Sequence, residues 1–117
     1  MRPLQVSARP HDGHTLVRLC GELDIATAED LRRRLSAARR SHGEHLVLDL
    51  ADLEFMDSQG LSVLVHCYKA VTAAGGSFTL AAPRPIVRRT LEITGMHRRM
   101  TVVGSLEEAL TTTAAPG

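Results

Sequence analysis

The apolar positions along the chain follow two periods, and the chain changes from one period to the other several times. Short segments with alternating or continuous apolar residues predict strands at "LQVSAR", "HTLVRLCGEL", "HLVLDL", "SFTLAA" and "RMTVVG". Longer segments with apolar residues every three to four positions predict helices at "ATAEDLRRRLSAARRS", "LSVLVHCYKAVTAAGG", "PIVRRTLEITG" and "SLEEALTTTA". Two strands therefore come first, and helices and strands alternate after them.

The order of these elements predicts an α/β fold. Strands that alternate with helices are joined by right-handed crossovers into a parallel sheet, whereas the "PHDG" turn predicts an antiparallel first pair. We therefore expect a mixed, mostly parallel sheet of four to five strands with about four helices. The 117 residues suit a single domain, 1–117, whose core occupies about 4–112 and whose tail, 113–117, frays.

The two longest predicted helices expose different surfaces. In the first, Thr27 is the expected N-cap, and Leu31, Leu35 and Ala38 form the buried stripe. In the second, projected at about 100° per residue, a solvent stripe is left outside the apolar side. This stripe passes through Ser58 when it is extended towards the amino end, and its members are Ser62, His66, Lys69 and Ala73.

Charge and cysteine content limit the classes of function. The formal net charge is +1, which argues against non-specific binding to nucleic acid or membranes as the main task. Cys20 and Cys67 lie in apolar contexts, and we expect them to be reduced core residues. The amino-terminal segment lacks an apolar signal core, and no apolar run approaches the roughly 18 residues of a membrane span. We therefore expect a cytoplasmic protein.

The motifs of several enzyme classes are missing from the sequence. There is no G-x-S-x-G elbow and no G-x-x-x-x-G-K-[ST] phosphate loop, and the six histidines are scattered without metal-ligand spacing. We therefore expect neither an enzyme nor a bound metal or other cofactor. The basic stretches "RPIVRRT" and "HRRM" are interpreted as solvated or partner-facing surface, because the aromatic residues that stack on bases make up only 3% of the chain.

The stretch "FMDSQGL" lies where a predicted strand ends and the second long helix begins, which is where sites gather in parallel α/β sheets. Asp57 is an adequate N-cap for that helix, so the cap does not require Ser58 as well. Gly60 falls inside the first turn, where glycine costs about 0.5–1 kcal/mol relative to alanine. This cost indicates that another group approaches the backbone closely. The alternative is that Ser58 only caps the helix and has no functional role.

These residues resemble a known family. "FMDSQGLSVL", preceded by "LVLDLADL" and followed by "AGGSFTLAAP", is similar to the STAS domain, and most of all to bacterial anti-sigma factor antagonists. "GELDIATAEDLRRRL", "LEITGM" and "SLEEAL" fit the same family, so the resemblance covers the chain from Val6 to Leu110. It implies the STAS fold and a reversible switch. An anti-sigma factor that is also a serine kinase phosphorylates the motif serine, the unphosphorylated antagonist binds this kinase and frees a sigma factor, and a phosphatase resets the system.

The resemblance also implies the site. The motif serine corresponds to Ser58, the expected phosphorylation site, and the acid before it corresponds to Asp57. Gln59 stands where the family commonly has a small hydroxyl residue or alanine, and its larger side chain alters the surface offered to the partner. The residues expected to contact the partner are Asp24, Asp57, Ser58, Gln59, Gly60 and Ser62.

Two other functions fit the same resemblance. One is a STAS subunit that is never phosphorylated and serves as a scaffold in a transport ATPase complex. The other is a nucleotide-sensing STAS module. The intact Asp-Ser-x-Gly core favours the phosphorylation switch over both. We therefore expect a serine kinase and a phosphatase as partners, and no nucleic acid, membrane or metal.

Overall fold

The computed structural model describes residues 2–112, and the tail predicted to fray, 113–117, lies outside them. The strands are β1 (Gln5–His11), β2 (His14–Leu23), β3 (His45–Met56), β4 (Ser77–Ala81) and β5 (Thr101–Val103). The helices are α1 (Ala28–His42), α2 (Ser58–Ala73), α3 (Pro85–Ile93), α4 (Met96–Arg99) and α5 (Leu106–Thr112). The α/β class and the alternation after two initial strands are confirmed.

The strands form one sheet in the order β1-β2-β3-β4-β5. Strand β1 is antiparallel to β2, and the pairs β2–β3, β3–β4 and β4–β5 are parallel. The reversal occurs at Asp12 and Gly13, whose φ angles of 48° and 83° are the left-handed values that a tight two-residue hairpin favours. The predicted mixed, mostly parallel sheet with an antiparallel first pair is therefore confirmed.

Strand β3 is longer than β4 and carries the chain to the edge where α2 begins. It pairs with β4 only from His45 to Asp49, but it pairs with β2 as far as Met56. Helix α3 packs along the side that β4 leaves unpaired, where the Thr90 hydroxyl donates to the Met56 carbonyl at 3.2 Å. The end of β3 is therefore held between β2 and α3.

Two clusters of buried hydrophobic residues lie on opposite faces of the sheet. The larger cluster joins the sheet to α1, α2 and α3 and includes Leu46 and Leu48 of β3. The smaller cluster joins it to α5 and includes Val47 and Ala109. Successive residues of β3 point to opposite faces, so burial on both faces requires the near-continuous apolar run seen in the sequence.

The surfaces predicted for the two long helices are confirmed. Helix α1 buries Leu31, Leu35 and Ala38, the three residues predicted from their spacing. The predicted solvent stripe of α2 is exposed at Ser62, His66, Lys69 and Ala73. No helix within residues 2–112 is both long enough and apolar enough to cross a membrane.

The segment predicted as the last strand differs from the prediction. Part of "RMTVVG" and the residues before it form the one-turn helix α4, and β5 begins only at Thr101. Gly95, with a φ of 75°, redirects the chain after α3, and the Met100 N–H then donates to the Met96 carbonyl at 2.9 Å. This extra turn brings the described helices to five, where about four were expected.

Candidate functional site

The candidate site lies at the edge of the sheet where the parallel strands β2 and β3 end. Leu23 and Met56 are paired in register there, and the Asp57 N–H donates to the Leu23 carbonyl at 3.1 Å. Strand β2 continues through the β2–α1 loop (residues 24–27) into α1, and β3 leads through Asp57 into α2. This edge therefore brings together "GELDIA" and "FMDSQGL", the two segments that carry the predicted contact residues.

Asp57 caps α2 and also fastens the β2–α1 loop. Its backbone is extended, and its Oδ1 accepts a hydrogen bond from the Gly60 N–H at 2.9 Å. Its Oδ2 accepts from the Ile25 N–H at 3.2 Å. One carboxylate thus satisfies an N–H group that the helix leaves free and holds the neighbouring loop in place. The predicted capping role of Asp57 is confirmed.

Ser58 is the first residue of α2, and its side chain is exposed, as the projected stripe predicts. Because Asp57 supplies the capping oxygen, the helix does not need the Ser58 hydroxyl. That hydroxyl has no hydrogen-bond partner among residues 2–112. Ser58 therefore exposes to solvent a hydroxyl group that makes no hydrogen bond within residues 2–112. It does so at the first residue of a helix that Asp57 already caps.

Gly60 is buried beneath the end of β2. A Cβ at this position would overlap the Leu23 side chain and would lie 3.0 Å from the Leu23 carbonyl oxygen. Gly60 was expected to contact the partner, but in the structure the group that approaches it closely is Leu23 of the same chain, and the buried Gly60 offers no surface to a partner. Gly60 therefore lets α2 begin against β2, and in this way it places Ser58 at the edge.

The β2–α1 loop is organised by Asp24 and Thr27. Asp24 Oδ1 accepts from the N–H groups of Ala26 and Thr27 at 2.9 and 3.2 Å. The Thr27 hydroxyl accepts from the Asp24 N–H at 3.0 Å and donates to the Glu22 carbonyl at 3.1 Å. The predicted cap is therefore wrong in its chemistry: Thr27 precedes α1, but its hydroxyl binds back into the loop and makes no capping hydrogen bond.

Ile25 stands on this loop with 73% of its surface exposed. Its N–H is bound to Asp57, so the loop holds a large apolar side chain on a fixed backbone close to Ser58. Sequence reasoning placed the loop in the site but did not single out Ile25. The available signal was an isoleucine between an acid and a helix start, at a position that no apolar period requires.

Gln59 and Ser62 line an open groove between α1 and α2. The α1 wall of this groove includes Glu29 and Arg32, which form an ion pair at 2.6 Å. The hydrogen bond from Arg32 lowers the pKa of the Glu29 carboxyl below its usual value. The predicted contact residues thus lie along the carboxyl edge and the first turns of α2, with Gly60 beneath them.

The structure also locates the residues considered for metal and thiol chemistry. No group of three or more His, Cys, Asp or Glu side chains in the described part of the chain is arranged to hold a metal. Both cysteines are free thiols. Cys67 is buried, and this burial raises the pKa of its thiol to about 11, so it is protonated near neutral pH. Cys20 is only partly buried.

Comparison with known sequences finds one family model and a similar protein that both match nearly the whole chain. The family model described as the STAS domain matches residues 5–109. The anti-sigma F factor antagonist of Paenibacillus polymyxa is 38% identical to this chain over 109 residues, which is 92% of this chain and 93% of that protein. The similarity therefore extends over nearly the whole length of both proteins.

Solved structures agree with the sequence comparison. An anti-sigma factor antagonist from Mycobacterium paratuberculosis is similar with a TM-score of 0.87 and 31% identity, covering 95% of this chain and 94% of the other. The unphosphorylated form of the anti-sigma factor antagonist SpoIIAA has a TM-score of 0.78 and 25% identity, covering 98% and 99% of the two chains. The phosphorylated form of Bacillus SpoIIAA has a TM-score of 0.70 and 25% identity, covering 94% and 98%.

Proposed function

The chain belongs to the STAS domain family, and from this membership we propose that it is an anti-sigma factor antagonist. In its unphosphorylated state it binds an anti-sigma factor, and this binding frees a sigma factor. The anti-sigma factor is also the serine kinase that phosphorylates Ser58 and so ends the complex, and a serine phosphatase reverses the modification. The observation that carries this proposal is the exposed Ser58 hydroxyl, which the helix does not need as a cap because Asp57 supplies the capping oxygen.

The proposed contact surface surrounds the first turns of α2. Ser58, Gln59 and Ser62 are exposed there and offer polar groups to the partner. Asp24 uses its Oδ1 within the β2–α1 loop, and its Oδ2 accepts no hydrogen bond from residues 2–112. This second oxygen is therefore available to a basic group of the partner, which contributes to specificity and association rate.

Two residues of the predicted site support this surface from beneath. Asp57 fixes the Ile25 N–H and so determines how the β2–α1 loop is displayed. Gly60 allows α2 to lie against Leu23, which no residue with a Cβ permits without movement. Both belong to the proposed site because they position the groups that the partner touches.

The charge of a phosphate explains how the switch acts. Phosphorylation of Ser58 adds roughly −1.5 to −2 charges at neutral pH. In the free protein, solvent and the helix N-terminus both favour this anion. In the complex the phosphate loses water and stands beside Asp57, and two unit charges about 5 Å apart repel by about 3 kcal/mol at an effective dielectric constant of about 20. A loss of about 3 kcal/mol lowers the affinity more than a hundredfold.

The chemistry of phosphoryl transfer belongs to the partner in this proposal. A kinase supplies the ATP site, the Mg²⁺ ions and the catalytic base, so the substrate protein has only to present a hydroxyl group. The chain accordingly acts as a non-enzymatic, single-domain binding protein in the cytoplasm, and it needs no cofactor of its own.

Phosphorylation by the purified anti-sigma factor kinases of the source organism tests this proposal. Wild type, Ser58→Ala and Ser62→Ala are incubated with each kinase and Mg-ATP, and their intact masses are compared. We expect one added phosphate on wild type and on Ser62→Ala, and none on Ser58→Ala. A wild type that binds a kinase but is never modified would indicate the scaffold function instead. Micromolar binding of Mg-ATP to the isolated chain would indicate the nucleotide-sensing function.

A further inference from the structure

Helix α3 exposes apolar side chains that neither the fold nor the Ser58 switch explains. The helix is anchored in the core by Val87 and Leu91, which are fully buried. On its outer side, Ile86 and Ile93 are 51% and 74% exposed, and the exposed Arg89 lies between them along the chain. We call Ile86, Arg89 and Ile93 the α3 face. Two isoleucines that are each more than half exposed on one short helix make α3 a candidate interaction surface.

The two isoleucines of the α3 face lie on the same half of the helix as Thr90. At about 100° per residue, Ile86 and Ile93 lie about 40° and 60° from Thr90 around the helix axis. Thr90 is the residue whose hydroxyl reaches the carbonyl of Met56, two residues before α2 begins. Glu92 lies about 160° from Thr90, on the far side of the helix. Ile86 and Ile93 therefore lie on the half of α3 that carries the Thr90 contact to the end of β3.

The chain segment that carries the α3 face is positively charged. Residues 84–99 contain five arginines and a single acid, Glu92. None of these five arginines forms an ion pair within residues 2–112. An arginine without a carboxylate partner, placed between exposed isoleucines, fits a protein surface that combines apolar side chains with an acid.

We propose that the α3 face is a second contact surface for the anti-sigma factor that binds at Ser58, and that this partner covers it with an apolar segment carrying a carboxylate opposite Arg89. This inference rests on the proposed function. It follows from the packing of α3 against the end of β3, the strand that leads to Ser58, and from the unpaired positive charge of the face. An anionic membrane fits less well, because helices that lie in a membrane interface carry a broad apolar face, and α3 offers two exposed isoleucines.

Isothermal titration of the anti-sigma factor with wild type, Ile93→Ala, Arg89→Glu and Ser58→Asp tests this inference. Arg40→Glu is the matched control, because Arg40 is exposed in the last turn of α1, at the end of that helix farthest from the β2–α1 loop. We expect Ile93→Ala and Arg89→Glu each to weaken binding about tenfold, as side chains that a partner covers and pairs do, and Arg40→Glu to weaken it less than about twofold. The melting temperature of each variant should stay within about 4 °C of wild type.

The outcomes separate this inference from the function on which it rests. Wild-type affinity in Ile93→Ala and Arg89→Glu, with Ser58→Asp still binding poorly, would overturn the α3 contact and leave the switch intact. If neither wild type nor Ser58→Ala binds any anti-sigma factor of the organism, both proposals fail. Co-sedimentation of wild type with phosphatidylserine vesicles that Ile93→Ala abolishes would assign the face to a membrane. A concentration-dependent dimer that Ile93→Ala abolishes would assign it to a second copy of the chain.

Discussion

Helices α1 and α2 begin at the same edge of the sheet, but their first turns are completed in different ways. Before α1, the Thr27 hydroxyl binds back into the loop, and no side chain caps the helix. Before α2, Asp57 caps the helix and also reaches across to the loop. The first turn of α1 contains two acids, Glu29 and Asp30, whereas the first turn of α2 contains none.

This difference is consistent with the proposal that the switch lies on α2. In α1 the favourable position for negative charge near the helix N-terminus is already occupied by two carboxylates, which form ion pairs with Arg32 and Arg34. In α2 the cap is supplied from outside the helix, so Ser58 stands in the first turn with a free hydroxyl. An anion added there gains the interaction with the helix N-terminus without displacing a residue that the fold requires.

The largest effect on stability is expected where the start of α2 lies against β2. Gly60→Ala places a methyl group against the Leu23 side chain and carbonyl, so α2 must move, and overpacking of this kind costs about 1–3 kcal/mol. Gly104→Ala is the control, because a Cβ there meets only Glu108 Oε1 at 3.9 Å. Urea denaturation measures both. Equal stability of the two variants would mean that α2 does not need this close approach.

A smaller effect is expected from the cap itself. Asp57→Ala removes the hydrogen bonds to the Gly60 and Ile25 N–H groups and should lower the free energy of unfolding by about 1–2 kcal/mol. Asp57→Asn keeps one acceptor oxygen, so it should lose about half as much. Ser58→Ala should change stability by less than about 0.5 kcal/mol. A loss in Ser58→Ala as large as that in Asp57→Ala would show that Ser58 is the cap.

Removing the Thr27 hydroxyl at the start of α1 should lower the stability less than removing the Asp57 cap of α2, and its effect should lie in the β2–α1 loop and not in the helix. Thr27→Val removes a hydroxyl that joins Asp24 to Glu22, which should lower the free energy of unfolding by about 1 kcal/mol. Amide hydrogen exchange should become faster in the β2–α1 loop and should stay unchanged in the first turn of α1. Faster exchange in that turn instead would show that Thr27 caps the helix after all.

The smallest effect on the free energy of unfolding is expected from removing the charges of Glu29 and Asp30 in the first turn of α1. Hydrogen bonds from Arg32 and Arg34 lower the pKa values of Glu29 and Asp30 below their ordinary values of 4.5 and 3.8. The stability contributed by these pairs is therefore present above the ordinary values and is lost as the pH falls through the lower values of the folded protein. The double variant Glu29→Gln, Asp30→Asn should flatten this acid dependence slightly in urea denaturation at a series of pH values. An unchanged acid dependence would mean that these exposed pairs contribute nothing.

The fold was largely predictable because its signals are local. The change between two hydrophobic periods predicts the elements, and the handedness of crossovers predicts parallel pairing after the first strand. The extension of β3 beyond β4 was not predictable in the same way, because it depends on which residues pair across strands. The hydrogen bond from Thr90 to Met56 joins residues 34 positions apart, so no local pattern indicates it. The turn α4 depends on the left-handed backbone of Gly95, which a sequence leaves open.

The site shows the same division between local and distant causes. The exposure of Ser58 follows from the helical period and the capping role of Asp57 from its residue type before a helix, and the structure confirms both. The role of Gly60 depends on Leu23, which belongs to another strand. Thr27 is the N-cap residue of α1 as predicted, but its hydroxyl makes no capping hydrogen bond, because a threonine before a helix has competing backbone partners and here the preceding loop provides a better set.

The central claim is that charge on Ser58 ends partner binding without disturbing the fold. The most direct test is a titration of the anti-sigma factor with the unmodified chain and with the chain that its kinase has fully phosphorylated on Ser58, with circular dichroism recorded for both. The account predicts that phosphorylation weakens binding more than about a hundredfold while the spectra coincide. Ser58→Ala should bind as tightly as the unmodified chain. Equal affinity of the phosphorylated and unmodified chains would contradict the account and leave Ser58 without a regulatory role.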